Sequence, residues 1–452
     1  MAEKTTSLYQ GAVPVGGELG TSTSKFCVDD KVVMFSSVVG DALTPILEEN
    51  WRRMNRSRDR RWIRNLAIWD ERRGEWRYVG AMTRSSETPN WFTERGLVQN
   101  MDDAYLALQA GLFLLDQERR QAGKPPLSKV GMGFGIPVKA GENAADEFFS
   151  YLGTRLDKTA DGSFMTIRAK NVATGEEVTT RLQLAFIAIQ FQGYGAYMAL
   201  LFGKYGMKLF NTYVIDIGHG TWIKLPVVDN EVDMLLADSI PFGMHTITEN
   251  ISRVIFEKSR QRYRIPEQRI MEKLPRGESR IEVPGEGIFD FRPVLESEVA
   301  ELVDKVLVRV RQDLGELSRR GKFIDYFAVV GGGAPLVFEQ IKRGIQRYYD
   351  WSDEVAEARV VQVEAIGVSP RVINSVGFML LARDQIAIEL GQPVEPGFAV
   401  SELITDELLG EPRDVRASGG AAARPSPPPP ARAERQPRPA EPAAERKPAA
   451  VK

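Results

Sequence analysis

Along the chain, short runs in which apolar and polar residues alternate give way to longer stretches of helical period, with Gly, Asp or Asn at many of the changes. Lys25 to Val39 reads as two strands turning at Asp29-Asp30, and Trp62 to Met82 as a hairpin turning at Arg73-Gly74. A helix is expected from Asp102 to Arg120 and a buried strand from Lys129 to Val138. A second helix, Ala144 to Leu156, precedes a hairpin that turns near Gly175. Strand Phe210 to Ile217 and a hairpin turning at Asp229-Asn230 lead into long helices at Thr246 to Arg264 and Val294 to Arg319. Strand Tyr326 to Val330, helix Pro335 to Tyr349, strand Arg359 to Val363 and helix Arg371 to Leu390 complete the pattern. Strands and helices mixed in this order predict an α/β fold.

Arg181 to Lys204 encloses an uncharged run of membrane-spanning length. Gln183, Gln190, Gln192, Gly193 and Gly195 make it too polar for a lone span, so it reads as a buried strand (Leu184 to Ile189), a Gly turn and a helix.

One internal echo stands out. Glu18-Leu-Gly-Thr-Ser-Thr-Ser-Lys25 is followed by an alternating strand and an Asp-Asp turn. Asp216-Ile-Gly-His-Gly-Thr-Trp-Ile-Lys224 is followed by an alternating strand and an Asp-Asn turn. Each runs carboxylate, apolar residue, Gly, small or polar residues, then Lys. Two copies this far apart predict a duplicated fold with a site between its halves.

Composition narrows the chemistry. The 452 residues are 43% hydrophobic and 27% charged, with a formal net charge of -2, an ordinary globular balance that gives no global case for nucleic acid or anionic membrane. Cys27 is the single cysteine and His219 and His245 the only histidines, so a disulfide framework and a His/Cys zinc site are excluded. The N-terminus lacks a signal-peptide pattern, and the expected location is cytoplasmic. No aromatic follows Phe398, and from Glu411 onward nine Lys/Arg face five Asp/Glu, a net +4. This Pro-rich end has too little apolar surface to offset its ordering entropy, so residues 396–452 are expected to be disordered. A solubilising tail is the plainer reading and a partner-binding arm the sharper one.

A nucleoside triphosphate needs backbone N–H groups at close range, which favours glycine. Gly20 in one turn and Gly218 and Gly220 in the other give that access, while Thr21, Ser22, Thr23 and Thr221 add hydroxyl donors. Magnesium keeps several waters, so Glu18 and Asp216, one at the start of each turn, suffice to hold it through water. Lys25 is placed to offset phosphate charge; Lys224 sits one position further along its hairpin and is left unassigned. A third cluster, Gly331-Gly332-Gly333-Ala334, follows a buried strand and opens a helix, a geometry suited to a flat ring or an anion. The P-loop pattern is absent, and Gly131-Met-Gly133-Phe-Gly135 lacks dinucleotide spacing.

In this order the motifs resemble the actin, Hsp70 and sugar-kinase superfamily, and within it the bacterial and archaeal actin-like ATPases of the ParM/StbA type. Glu18 to Lys25 resembles the first phosphate motif, Asp216 to Thr221 the second, and Val330 to Ala334 the adenosine motif. Phe35-Ser-Ser-Val-Val-Gly40, Tyr78-Val-Gly80, Gly135-Ile-Pro-Val138, and Pro370 with Asn374 and Gly377 add lesser marks over roughly residues 15–390. The resemblance implies an actin-like two-lobed fold, with duplicated mixed sheets flanked by helices and ATP with Mg²⁺ in the central cleft. It sets the first lobe at residues 10–205 and the second at 206–395, with the last helix, 371–390, packing back on the first. It also implies a glutamine or glutamate in the connecting segment that orients the attacking water, here Gln192 or alternatively Gln190.

The implied activity is ATP hydrolysis coupled to self-assembly into filaments for plasmid or DNA segregation, with DNA engaged only indirectly and an adaptor recruited through the tail. Positioning of an organelle of the magnetosome kind is the rival, and a non-hydrolysing scaffold the alternative. Glu18 departs from the usual aspartate, and its extra methylene argues against fast hydrolysis more than against binding. Val13-Pro-Val-Gly-Gly17 reads as a poor buried strand. His219 is read as an exposed turn residue rather than a catalytic acid, and His245 as an ordinary helix-start residue. The basic run Arg52 to Arg64, with Trp51 and Trp62, is read as a solvated face or subunit contact.

Overall fold

The computed structural model describes residues 8–55, 59–94, 97–98, 100–136, 141–203, 210–283, 285–362, 367–394 and 400–406. The end of the strand expected to reach Val138 and the Pro-rich segment beyond residue 406 lie outside these.

Two mixed sheets repeat one topology. In the first, Lys31–Ser36, Thr23–Val28, Val13–Leu19, Lys129–Ile136 and Glu177–Phe191 lie side by side in that order. The first three form an antiparallel meander, and the last two run parallel to Val13–Leu19. In the second, Glu231–Val232, Trp222–Val228, Thr212–Ile217, Tyr326–Val330 and Val360–Gln362 stand in the same order with the same directions. The Asp229-Asn230 turn joins its meander with both residues at positive φ (54° and 68°), the hairpin turn that Asp and Asn tolerate. The first sheet also carries Gly162–Asn171, Leu66–Asp70, Glu75–Val79 and Val38–Asp41 beyond Glu177–Phe191. The uncharged run is the Glu177–Phe191 strand followed by the Tyr194–Gly203 helix, and no helix among the described residues is long and apolar enough to cross a membrane.

Helix Met101–Gln121 covers one face of the first sheet, and its apolar side merges with Val15, Phe26, Phe35, Met132 and Phe134 into one core. Helix Arg292–Arg319 does the same for the second sheet, with Val303, Val306 and Val310 in a core that includes Tyr213, Ile215 and Phe327. The inner faces share a third core. Met34 and Cys27 from the first sheet, and Val214, Leu225 and Val330 from the second, pack with helices Tyr194–Gly203 and Ile373–Glu389.

Those two helices cross at glycines. A Cβ on Gly377 would lie 1.6 Å from the Gly195 carbonyl oxygen, so no other residue fits there. The same packing accounts for the segment that reads as a poor strand. Val13–Leu19 is a central strand, and a Cβ on its Gly16 would lie 1.8 Å from the Ser375 carbonyl oxygen of the last helix. Gly16 thus admits that helix, a Cβ on Gly17 would meet Met132, Phe134 and Phe26 of the first core, and Pro14 precedes the pairing with Thr23–Val28, which begins at Val15.

Residues placed in the tail extend the sheet instead. Glu402–Thr405 pairs in parallel with Lys31–Ser36 and forms its edge, so the fold continues past residue 396. In the basic run, helix Pro45–Met54 pairs Arg52 with Glu48 and Glu49, and Trp62 packs edge-on against Phe113.

Gly377→Ala is expected to destabilise the protein by about 2–4 kcal/mol, because backbone on both sides must separate. Gly315→Ala, in helix Arg292–Arg319 with nothing within 4 Å of the added Cβ, is expected to stabilise it by about 0.5–1 kcal/mol. Urea unfolding of the two variants beside the parent checks both signs.

Candidate functional site

The two echoed segments fold into the same local structure. Gly20 N–H donates to the Thr23 carbonyl at 3.1 Å, and Gly218 N–H to the Thr221 carbonyl at 2.8 Å. Each bond closes a tight turn between antiparallel strands, and in each a Cβ on the glycine would fall within 3 Å of that carbonyl oxygen. The turns meet: a Cβ on Gly220 would lie 3.0 Å from Cγ2 of Thr21. Thr21, Ser22, Thr23, Gly218, His219 and Gly220 are half-buried at this junction, and Thr221 is buried.

The third glycine cluster packs against the second turn. Gly331 has φ +90°, and a Cβ there would lie 2.3 Å from Oδ1 of Asp216. Gly333 N–H donates to the Ile217 carbonyl, 2.9 Å, immediately before helix Ala334–Tyr349. Gly332 is more open, its nearest neighbour being Cγ of Arg371 at 3.8 Å. The Gly331 to Ala334 cluster therefore stands directly beside the second turn.

Glu18 and Asp216 are both buried at the base of the turns. Lys25 Nζ donates to Glu18 Oε1 at 2.8 Å, while Glu18 Oε2 is buried without a hydrogen-bond partner. Asn374 Nδ2 donates to Asp216 Oδ2 at 2.7 Å. Burial, with the Glu18 charge adding to it, pushes the Asp216 carboxyl up to about 6, against the pull of Lys25 and the Asn374 hydrogen bond. Among the described residues, two buried carboxylates thus face the one ammonium of Lys25, an arrangement short of positive charge.

Strand register explains why only one of the two lysines is here. Residues directly opposed across an antiparallel pair point to the same face, and Lys25 opposes Glu18. In the second hairpin Ile223 opposes Asp216, and Lys224 opposes Ile215. The one-residue offset sends Lys224 to the other face, where its Nζ meets Asp313 Oδ2 at 2.8 Å beside Tyr213. It belongs to the core of the second half.

Gln192 is buried, and its Nε2 donates to the Leu19 carbonyl at 3.2 Å, one residue before Gly20. Among the described residues, Gln192 and not Gln190 hydrogen-bonds to the segment that opens the first turn. His219 is half-buried rather than exposed: its carbonyl accepts the His245 N–H at 2.7 Å, which holds the two rings 5.6 Å apart. Burial and the nearby His245 push its imidazole down to about 4. His245 itself pairs with Glu267, Nδ1 to Oε2 at 2.6 Å.

Two residues at the site, Asn374 and Ser37, lie in stretches marked in the sequence but given no role there. Asn374 binds Asp216 through its amide nitrogen, while its Oδ1 accepts N–H groups of Gly193 (3.2 Å) and Ala196 (3.0 Å). Ser37 holds the first turn: its Oγ donates to the Gly20 carbonyl at 2.7 Å, and its N–H to the Ser22 carbonyl at 3.0 Å. The signal was a polar residue inside an apolar run, Ser37 before Val-Val and Asn374 after Val-Ile.

No protein-family model matches the chain, and no curated protein sequence matches it. Solved structures do. An archaeal actin homologue aligns with 18% identity over 82% of this chain and 99% of its own, at a TM-score of 0.59. A 15-stranded ParM filament from Clostridium botulinum aligns with 16% identity over 82% and 99%, also at 0.59. Bacillus thuringiensis ParM with ATP aligns with 16% identity over 83% and 99%, at 0.51. With the doubled meander-and-parallel topology and the shared inner helices, these likenesses show that the chain has the actin-like fold, the architecture of archaeal actin homologues and ParM proteins.

Proposed function

We propose that the protein binds ATP with Mg²⁺ between its two turns and assembles into filaments. The observation that carries this reading is the contact of Gly220 with Thr21 above a buried, cation-poor carboxylate pair. The residues present fit a bound metal. Glu18 Oε2 lacks a partner, and a divalent cation would favour the charged form of Asp216, which burial and, after it, the Glu18 charge disfavour. Magnesium usually keeps several of its waters, so Glu18 and Asp216 would hold it through water. When bound, the ion neutralises charge on the terminal phosphates.

In this reading the turn backbones at Gly20, Gly218 and Gly220 face the phosphates, and Thr21, Ser22, Thr23 and Thr221 add hydroxyls. Lys25 offsets phosphate charge, and His219 shapes the second turn as a neutral ring. Gly331, Gly332, Gly333 and Ala334 face the adenosine. Gln192 donates its amide nitrogen to Leu19, which leaves its oxygen as acceptor for an attacking water. Assembly rests on the fold shared with a protein solved as a 15-stranded filament. Plasmid or DNA segregation in the cytoplasm, with an adaptor on the tail, is the role we favour over organelle positioning.

A specific observation also favours a non-hydrolysing scaffold. Lys25 already pairs with Glu18, which ties down the carboxylate that differs from the usual aspartate. Glu18→Asp separates the two readings: a large gain in phosphate release identifies the natural protein as a slow or inactive hydrolase, and an unchanged or lower rate supports turnover with Glu18 in place.

Light scattering with ATP, with GTP and without nucleotide is expected to show polymer that depends on ATP. No polymer under any of the three conditions would sink the filament reading. Asp216→Asn is expected to weaken Mg-ATP binding at least about tenfold while stabilising the nucleotide-free protein. An acid whose folded value is raised stabilises the fold below its unfolded value, here near 4, and loses that contribution as pH rises through about 6. The variant should therefore match its parent at pH 4 and exceed it by about 1–3 kcal/mol at pH 7.5 in urea unfolding. A gap that does not change with pH would contradict the charge pairing.

A further inference from the structure

The edge strand Glu402–Thr405 ends beside the element that holds the first turn. Its Ser401 N–H donates to the Asp30 carbonyl at 2.8 Å, and Glu402 pairs with Lys31 at 2.9 Å, so the segment enters at the start of Lys31–Ser36. It leaves at the other end. Asp406 N–H donates to the Met34 carbonyl at 3.2 Å, and Asp406 Oδ2 accepts the Ser36 N–H at 2.9 Å. As the backbone departs, the carboxylate supplies the acceptor that the next strand residue would otherwise provide. This carboxylate is buried, with Oδ2 3.1 Å from where a Cβ on Gly80 would stand.

Ser36 is followed by the residue that grips the turn. Ser37 Oγ and N–H bond to the Gly20 and Ser22 carbonyls, and its Oγ also meets Ser24 Oγ at 2.9 Å. Asp406 is therefore one peptide unit from the clamp on residues 20–24, across a sheet edge it helps to close. We propose that Asp406 is a positioning residue for the first turn: the carboxylate fixes Ser36, which aims Ser37 at the Gly20 and Ser22 carbonyls. The effect on nucleotide rests on the function proposed above; the mechanical link does not.

Two readouts on the full-length protein separate them. The first is hydrogen exchange at residues 20–24 without nucleotide, in the parent, Asp406→Ala, Asp406→Asn and Glu402→Ala. Asp406→Ala is expected to speed exchange in that segment roughly five- to thirty-fold, and Asp406→Asn less, because its amide oxygen still accepts. Glu402→Ala, which removes only an exposed ion pair of the same strand, is expected to leave it unchanged. The second readout is the Kd of a fluorescent Mg-ATP analogue, expected to rise by a similar factor in Asp406→Ala and not in Glu402→Ala. Unchanged exchange at 20–24 in Asp406→Ala overturns the proposal, and so does an acceleration spread evenly over the first sheet, which is plain destabilisation. If the parent binds no nucleotide, the functional reading fails and the exchange result alone decides the link.

Discussion

Two carboxylates buried with one ammonium are the constraint from which the rest follows. Taking Glu18 and Asp216 out of water is costly, and Lys25 with Asn374 compensates only in part, as the raised Asp216 carboxyl records. The fold maintains this arrangement with two sheets that share their inner helices. Close crossings at Gly195 and Gly377, and of Gly16 with Ser375, leave little freedom for the turns to part. Backbone contact of this kind is stiff, because nothing in it can change rotamer.

Duplication supplies the geometry, and small departures from it supply the differences. Both halves present a meander whose first turn is closed by a glycine, and each sheet is followed by an inner helix. One residue of spacing separates Lys25 from Lys224 in role. The first stays with the carboxylates, and the second, turned to the opposite face, neutralises Asp313 in a core. The second turn is also bound to helix Met244–Lys258, whose Met244 and His245 N–H groups donate to the Gly218 and His219 carbonyls. The first turn relies on Ser37 instead. The halves therefore hold their turns by different means, one through a helix and the other through a sheet edge.

Much of this was legible in the residues. Strand Tyr326 to Val330 is found over the expected range, helices such as Pro335 to Tyr349 and Val294 to Arg319 fall within a residue or two, and the two echoed turns come together in the structure. What escaped depended on partners distant in sequence. Val13 to Gly17 looks weak as a strand until a helix some 360 residues later is seen to pack where a side chain on Gly16 would stand (375 − 16 = 359). Glu402–Thr405 is a four-residue strand that pairs with the Lys31–Ser36 edge, and nothing local distinguishes it from a tail. His219 looked exposed because the helix that half-covers it begins only at Met244.

The central claim, that one metal-bound nucleotide compensates the buried pair, is tested most directly by proton linkage. Titrating a Mg-bound, non-hydrolysable ATP analogue into the protein at pH 6 and pH 8, in buffers of different ionisation enthalpy, measures protons exchanged on binding. Asp216, partly protonated near pH 6 when no cation is present, should ionise as the complex forms. The account predicts one site per chain and release of about half a proton from this group at pH 6, fading by pH 8. Binding without magnesium, or without proton release at pH 6, would contradict it.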